Sequence, residues 1–439
     1  MLELMVLSGR PQADLIPDDE FLSAIGEAYG VKDRYRFPFS YVVDKATMLP
    51  VEPILRYLTY CASTRSNAEV TIRNKAHACY ELFLYLDERR INYLDISITT
   101  LLDYKEQLCG YVSLKTNRPL APDFIKMRLH VARDFCVFHG ILPKEEAVRV
   151  RGKPISGRPT SILVGQASAL NVKTQTALIQ YVSNKDLKKL LNALGSEPGN
   201  PTGRPARDWL LSFFCVTTGT RLSEALSLEK NQILQAMLEY KERSRTGRSH
   251  AQTEPLRLLL TKTKRLKPRL IDVPAGLVDM LVQYIDGERE EAVAIGRNHR
   301  RRAKDTTALF VNGSDCAPKY AGLPYRAKRA EEFFANRQKE IGLTRTVPRF
   351  DPETRRPIEE QKVNKHVIHH LRHTYAIMAW RAYEKLPEAD RWIRIQQQLG
   401  HKSHEVTANT YLRAVKHQEG PARDAMTDVL KYLSSSSAS

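Results

Sequence analysis

A chain of 439 residues carrying a formal net charge of +18, with a pI near 9.6, is long enough for two domains with separate cores. That balance is far from the near-neutral surface of a typical cytosolic enzyme, and its field concentrates polyanions, so nucleic acid is the natural partner. No apolar run approaches the ~20 residues that span a bilayer, and the first residues, Met1 to Leu7, lack a basic n-region before Arg10 and Pro11. No membrane partner is expected, and the placement is cytoplasmic. The six cysteines form no Cys-x-x-Cys pair, and several fall within apolar helical patterns, so neither a disulfide frame nor a zinc knuckle is indicated.

Residues 1–48 are mixed in pattern, interrupted by Pro11, Pro17, Gly30 and Pro38, and read as an N-terminal extension. From Pro53 the periodicity is helical. Ile54, Leu55, Tyr57 and Leu58 fit one face, and Ile72, Ala76, Cys79, Tyr80, Phe83, Leu84 and Leu86 fit that of a second helix. Further helices are predicted over Ile98–Leu108 and Pro122–Phe138, the latter opening on Pro122-Asp123 and closing at Gly140. Residues 49–142 thus form an all-helical domain. Residues 143–180 lose the periodicity and carry Pro143, Gly152, Pro154, Gly157, Pro159 and Gly165, as a linker does.

The second domain, 181–420, opens on Ser183 or Asn184 as cap of a helix Lys185–Leu194. The nearly all-apolar stretch Trp209–Val216 closes at Thr218-Gly219, so a buried helix ends there and another begins beyond Arg221. Leu256–Thr261 and Arg269–Val273 suit a hairpin with a basic turn. Glu239–Thr253 and Arg289–Thr306 read as polar insertions, and Pro348–Lys365 as a charged loop. Residues 421–439 hold a C-terminal helix, Ala422–Leu433, and a serine-rich tail expected to be disordered. The fold class is mostly α with a small antiparallel β-sheet.

The chemistry concentrates in Thr218-Gly219-Thr220-Arg221-Leu222-Ser223-Glu224, in His369-His370-Leu371-Arg372-His373-Thr374, in Leu399-Gly400-His401, and in Tyr411. A phosphodiester under attack becomes crowded and negatively charged, and guanidinium groups match its non-bridging oxygens by charge-assisted hydrogen bonds. Arg221 and Arg372 are the candidates. Glu224, three residues past Arg221, is placed to hold the arginine or a neighbouring backbone group. His369 and Arg372, spaced i, i+3, project from one side of a helix, while His370 and His373 are structural or contact DNA. His401 and Tyr411 lie ten residues apart, ~15 Å along a continuous helix, so to share one phosphate the chain must bend. Gly400 and a cap at Ser403 supply the bend. Taken one at a time, Gly-x-Arg-x-x-Glu is commonly a surface arginine with a solvated acid, and Thr-Tyr-Leu a half-buried aromatic.

The hairpin places Lys262, Lys264, Arg265, Lys267 and Arg269 within a few residues, by itself an ordinary phosphate-contacting turn. One of its lysines can protonate a leaving 5′ oxygen, a role needing a movable proton that arginine does not give up. His366, His369, His370 and His373 include i, i+3 and i, i+4 pairs, which suits zinc. The arginine within the cluster and the lack of a His-Glu-x-x-His glutamate argue against it.

This ordered set, Arg221, a hairpin lysine, His369-x-x-Arg372, Leu399-Gly400-His401 and Tyr411, resembles the tyrosine recombinase (phage integrase) family over about residues 180–415. The helical 50–140 segment resembles that family's core-binding domain. The resemblance implies a two-domain clamp around double-stranded DNA, a homotetramer acting on two sites, and accessory DNA-bending proteins as a further class of partner. It implies a 3′-phosphotyrosyl intermediate formed without metal, nucleotide or other cofactor, and a nucleoid-associated role in a prokaryotic host. By the same resemblance Arg221, His369, Arg372 and His401 bind the phosphate and Tyr411 attacks it. Lys262 is the general acid, preferred for its Lys-Thr context, with Lys264 the alternative. In many members the tyrosine follows the histidine by nine residues; here that position is Thr410, and Tyr411 is one further on.

The resulting expectation is a site-specific recombinase of a mobile element. A resolvase or invertase of the same chemistry, a non-cleaving DNA-binding relative and a metal-dependent nuclease stand as alternatives.

Overall fold

The computed structural model describes residues 2–6, 40–65, 69–143, 179–200, 204–245, 255–261, 268–300 and 305–401, and beyond these 403, 405, 407, 408, 410 and 411. The chain divides into two compact units, residues 1–176 with 348–360, and residues 177–347 with 361–439.

In the first unit α1 (Glu52–Arg65), α2 (Glu69–Glu88), α3 (Ile98–Gly110) and α4 (Pro122–Phe138) bury the predicted apolar stripes. Ile54, Leu58, Ala76, Cys79, Leu82, Leu101 and Phe135 are sealed from solvent in one core. Ser97 and Thr100 start α3 with a reciprocal capping box, and Pro122 starts α4 where its missing N–H costs nothing. Arg128, buried among these helices, donates to Glu81 Oε1 at 2.7 Å and to the Asn74 carbonyl at 3.1 Å.

The extension assigned to residues 1–48 needs correcting. β1 (Leu2–Val6) and β2 (Ser40–Asp44) pair antiparallel, Leu2 opposite Asp44, and Val42 enters the helical core at 1% exposure. A second short ladder joins β3 (Val112–Ser113) to β4 (Arg118–Pro119).

The second unit is built around α6 (Arg207–Thr218), almost every residue of which is buried. Around it lie α5 (Asn184–Leu194), capped by Ser183 as predicted, α9 (Ala275–Tyr284), α11 (Ala327–Glu340) and α12 (His369–Ala382). The expected hairpin is present as β5 (Leu256–Leu260) and β6 (Arg269–Val273), Leu260 opposite Arg269. Leu256, Leu258 and Leu260 face the core, and Arg257 and Leu259 face out, the alternation of a half-buried strand. α7 (Leu222–Ala225), α8 (Lys230–Arg245), α10 (Glu290–His299) and α13 (Glu388–Leu399) are further helices among the described residues.

Three further readings are corrected. The polar insertion at Glu239–Thr253 is, as far as it is described, the last turns of α8. That at Arg289–Thr306 is largely α10, following a π-helical turn, Ile285–Arg289; its first residue is buried, with Arg289 donating to the carbonyls of Ala308 and Thr306. The loop at Pro348–Lys365 is instead a sheet of β7 (Thr344–Phe350) and β8 (Pro357–Asn364). Its turn, residues 348–360, groups with the first unit, where the Phe350 N–H donates to the Asn117 carbonyl. The chain is mostly helical with small antiparallel sheets, as expected, and among the described residues the β content is four two-stranded sheets. Most of the linker 143–180, the turn Lys262–Lys267, and the predicted C-terminal helix and tail lie outside the described residues.

Candidate active site

α6 ends at Gly219, whose φ of +68° is the left-handed stop that glycine takes most easily. The chain then turns so that Arg221, in extended conformation, precedes the next helical turn, α7, and Glu224 folds back under it. The Glu224 carboxylate accepts from the Arg221 N–H at 2.9 Å and from its guanidinium at 2.8 Å. Arg269, at the start of β6, closes the carboxylate from the other side with bonds of 2.8 and 2.9 Å. Burial pushes the Glu224 carboxyl up. The hydrogen bonds from Arg269 and the Arg221 backbone, with both cations, outweigh that and bring it down to about 2. The predicted partnership of Arg221 and Glu224 is present; Arg269 is the member that sequence reasoning placed among solvated hairpin cations.

Arg372 arrives from α12, anchored by buried Leu371, Ala376, Ile377 and Ala379 as the pattern required. At 2% exposure its two Nη atoms donate to the carbonyls of Gly219 and Leu399, each at 2.7 Å, locking the guanidinium between the end of α6 and the end of α13. Burial, and then the neighbouring Arg221, lower its pKa to about 10, which leaves it a cation at neutral pH. Gln398 ties the same elements together through the Thr218 carbonyl and both backbone polar groups of Asp272. Arg221 and Arg269 share the Glu224 carboxylate, and Arg372 stands near enough to feel its charge while bonded to backbone carbonyls, so three guanidiniums face one carboxylate and two positive charges are left over.

The bend between His401 and Tyr411 is present. Gly400 adopts φ +68° at the end of α13, and Glu405, Thr407, Ala408, Thr410 and Tyr411 are helical again. His401 Nδ1 meets Thr407 Oγ1 at 2.9 Å, and its ring lies parallel to that of Tyr411, 5° apart in plane, with centroids 6.2 Å apart. Tyr411 is 1% exposed and packs with Tyr375, Trp392, Ile395 and Leu399. Burial raises its pKa, opposed by Arg372 and Arg221. The Tyr411 hydroxyl thus lies within reach of both arginines.

His373 is the residue the sequence reading undervalued: its Nδ1 lies 3.0 Å from the Tyr411 hydroxyl. Burial lowers its pKa to about 3, helped by His369, His370 and Arg372, so the ring is neutral at physiological pH. Burial likewise brings His401 down to about 4, with Arg372 and Arg221 adding to the shift. His369 opens α12, exposed, its ring centroid 4.9 Å from that of His373. His366 and His370 meet through their Nδ1 atoms at 3.5 Å. Among the described residues no group of three or more His, Cys, Asp or Glu is arranged to hold a metal ion. The structure therefore brings together Arg221, Glu224, Arg372, His401 and Tyr411, with His369 beside them through His373, and adds Arg269 and His373. Lys262 and Lys264 lie outside the described residues.

No family model and no curated protein matches the sequence. Among solved structures the chain is similar to tyrosine recombinases. One is XerA recombinase, with 16% identity over 84% of this chain and 98% of that one and a TM-score of 0.32. Another is the XerH site-specific recombinase bound to palindromic difH substrate, with 16% identity, 83% and 82% coverage and a TM-score of 0.47. A lambda integrase dimer bound to a COC′ core site gives 12% identity, 92% and 87% coverage and a TM-score of 0.48.

Proposed function

We propose that this protein is a site-specific DNA recombinase that cleaves and rejoins duplex DNA through a phosphodiester link to Tyr411. The observation that carries the reading is the Tyr411 hydroxyl held in a buried corner where guanidiniums outnumber carboxylates by two. A buried charge surplus of that kind is costly unless an anion completes it, and a phosphodiester brings the missing charge together with a phosphorus for the phenol to attack. Arg221 and Arg372 then take the non-bridging oxygens, with His401 and His369 as further donors. Their carbonyl and carboxylate partners hold the donors in place before the charge develops, which is the arrangement that lowers a barrier. The Tyr411 oxygen attacks phosphorus, the bond to the 5′ oxygen breaks, and the 3′ phosphate stays on the protein, its bond energy conserved for rejoining. The leaving 5′ oxygen takes its proton from Lys262, or from Lys264 in the other register.

Rejoining to a different strand makes the chemistry recombination, for which two sites and a homotetramer are the partners, and accessory DNA-bending proteins a further class. A mobile element is the favoured setting, because a linker as long as 143–180 exceeds what a minimal chromosome-dimer resolver needs. Inverted repeats flanking the gene would support it.

The test is a nicked suicide substrate incubated with the full chain in chelator. A covalent protein–DNA adduct is expected from the wild type and none from Tyr411→Phe. An adduct from Tyr411→Phe removes the nucleophile assignment, and dependence on added metal would favour a nuclease.

A further inference from the structure

In the first unit Lys75 of α2 turns its amine inward against α1. Its Nζ donates to Cys61 Sγ at 3.1 Å and to the Tyr57 hydroxyl at 3.2 Å, and stands 5.1 Å from the centre of the Tyr57 ring. A lysine ordinarily keeps its charge in water and buries only its stem, so an ammonium held by a thiol and a phenol is out of its usual place. Burial pushes the Tyr57 phenol up, which keeps it a neutral hydroxyl rather than a counter-charge. The sulfur is held still. Cys61 is 2% exposed and one helical turn from Tyr57, whose ring meets those of Phe135 and Phe138 at centroid distances of 5.7 Å. Lys75 is half-buried, so its stem marks the way in from solvent. Two other cysteines of this core, Cys79 and Cys136, have no amine in hydrogen-bond contact among the described residues. Burial pushes the Cys79 thiol up and the Cys136 thiol up to about 12, as in inert packing groups.

We propose that Cys61 and Lys75 form an oxidative modification site, at which hydrogen peroxide joins the two side chains through a sulfenamide, a reversible S–N staple between α1 and α2. It stands independently of the strand-cleavage reading above.

The thiolate is the form of cysteine that attacks peroxide, and an adjacent lysine ammonium is a partner that favours it. The sulfur takes one peroxide oxygen, the O–O bond breaks, and the departing hydroxide takes a proton from the Lys75 ammonium and leaves as water. Sulfur has lost two electrons and peroxide has gained them. What remains is a sulfenic acid beside a neutral amine. The lone pair of the Lys75 nitrogen then attacks the sulfur, the S–O bond breaks, and the oxygen departs as a second water with a proton from the nitrogen. Backbone nitrogens capture sulfenic acids in this way. Here a primary amine already stands 3.1 Å from the sulfur, placed to react before more peroxide carries it on to sulfinic acid. A dithiol reverses the staple: its two thiols become a disulfide, and Cys61 and Lys75 regain their hydrogens.

The experiment treats the full chain with hydrogen peroxide under native conditions, alkylates the remaining thiols in denaturant, digests with trypsin and identifies the peptides by mass. Trypsin cuts after a free lysine but not after one whose amine is joined. The expected main oxidised form of Cys61 is Tyr57–Arg65 linked to Asn74–Arg89, with Lys75 uncut, Cys79 alkylated and two hydrogens fewer than the separate peptides. Dithiothreitol before alkylation should return Tyr57–Arg65 and Ala76–Arg89 as separate peptides. Lys75→Arg keeps a cation beside the sulfur but offers no amine, so it should give oxidised Cys61 and no linked peptide. A Cys61 that stays a thiol, or that reaches sulfinic or sulfonic acid with Lys75 cut as usual, overturns the proposal. So does Tyr57–Arg65 joined to Ala76–Arg89, which is a Cys61–Cys79 disulfide. The wild-type product decides by itself, so the result does not depend on how a variant folds.

Discussion

Arg269 and Glu224 meet face to face, two guanidinium nitrogens on two carboxylate oxygens at 2.8 and 2.9 Å, while the same carboxylate holds Arg221. Glu224 is 1% exposed, so its charge depends on both partners rather than on water. Breaking a buried pair by removing one side costs about 3–5 kcal/mol. Arg269→Ala is therefore expected to lower the melting temperature of the second unit and to slow cleavage by misplacing Arg221, though Arg269 itself need never touch DNA. Arg269→Lys, keeping charge but losing the fork, should fall between. An Arg269→Ala protein that melts and cleaves like wild type would show that the pair is ornamental.

Acid should act through the buried histidines, and the direction follows from their shifts. Burial lowers His373 to about 3 and His370 and His401 each to about 4, from an ordinary 6.5. As pH falls below 6.5, the unfolded chain takes up these protons before the folded one does. The stability they represent is thus complete above 6.5 and is lost progressively down to the folded values. Glu224, depressed from 4.5 to about 2, adds a second loss below 4.5, because its stabilising ionised form is then taken away. Denaturant melts at a series of pH values should show stability declining from about pH 6.5 to pH 4. His370→Asn, away from the phenol, should flatten that slope. Stability that climbs with acid over this range would contradict the burial assigned to these rings.

Many of the helices were legible because their signal is local: apolar residues at helical spacing, Ser183 at a helix start, and glycine at Gly219 where a helix stops. Arg221 with Glu224 was legible for the same reason, three residues apart across one turn. β1 and β2 were not, since the partners are separated by residues 7–39 and each strand is too short to display its alternation. β8 carries Glu359, Glu360 and Lys362 on a largely exposed ribbon, so neither of its faces shows the apolar stripe a sheet normally writes into sequence. Arg269 and His373 escaped for a different reason. Each looked like its neighbours, one in a run of cations and one in a run of histidines, and only the distant partners Glu224 and Tyr411 distinguish them.

Gly219 combines two demands that a side chain cannot meet. Its φ is +68°, and a Cβ there would lie 2.4 Å from Tyr375 Cδ1 and 2.8 Å from Leu399 Cδ2. Its carbonyl is also a mount of Arg372. Gly342, in the same unit at φ +65°, has open space around the equivalent position. Gly342→Ala should thus cost only the left-handed backbone, about 1–2 kcal/mol, while Gly219→Ala adds overpacking of about 1–3 kcal/mol and disturbs Arg372. Thermal melts of the two variants, with cleavage rates beside them, measure the difference. Equal melting temperatures would mean that Tyr375 and Leu399 yield freely.

Gln398 extends the same reasoning from one mount to the frame that carries all of them. Its amide nitrogen donates to the Thr218 carbonyl at 3.0 Å and to the Asp272 carbonyl at 2.9 Å, and its oxygen accepts from the Asp272 N–H at 2.9 Å. One side chain of α13 therefore pins the end of α6 and the middle of β6, the elements that deliver Arg221 and Arg269. Gln398→Leu fills nearly the same space but strands backbone groups at about 1–3 kcal/mol for each left buried without a partner. The expected result is a lower melting temperature with cleavage falling further than DNA binding, because the arginines survive while their spacing loosens. Gln398→Glu, which retains the acceptor for the Asp272 N–H but sets a carboxylate oxygen against the Thr218 and Asp272 carbonyls, should also lower the melting temperature. If Gln398→Leu instead loses binding and cleavage in equal proportion, the frame does not set the spacing of the arginines, and their positions are fixed by Glu224 and the backbone carbonyls alone.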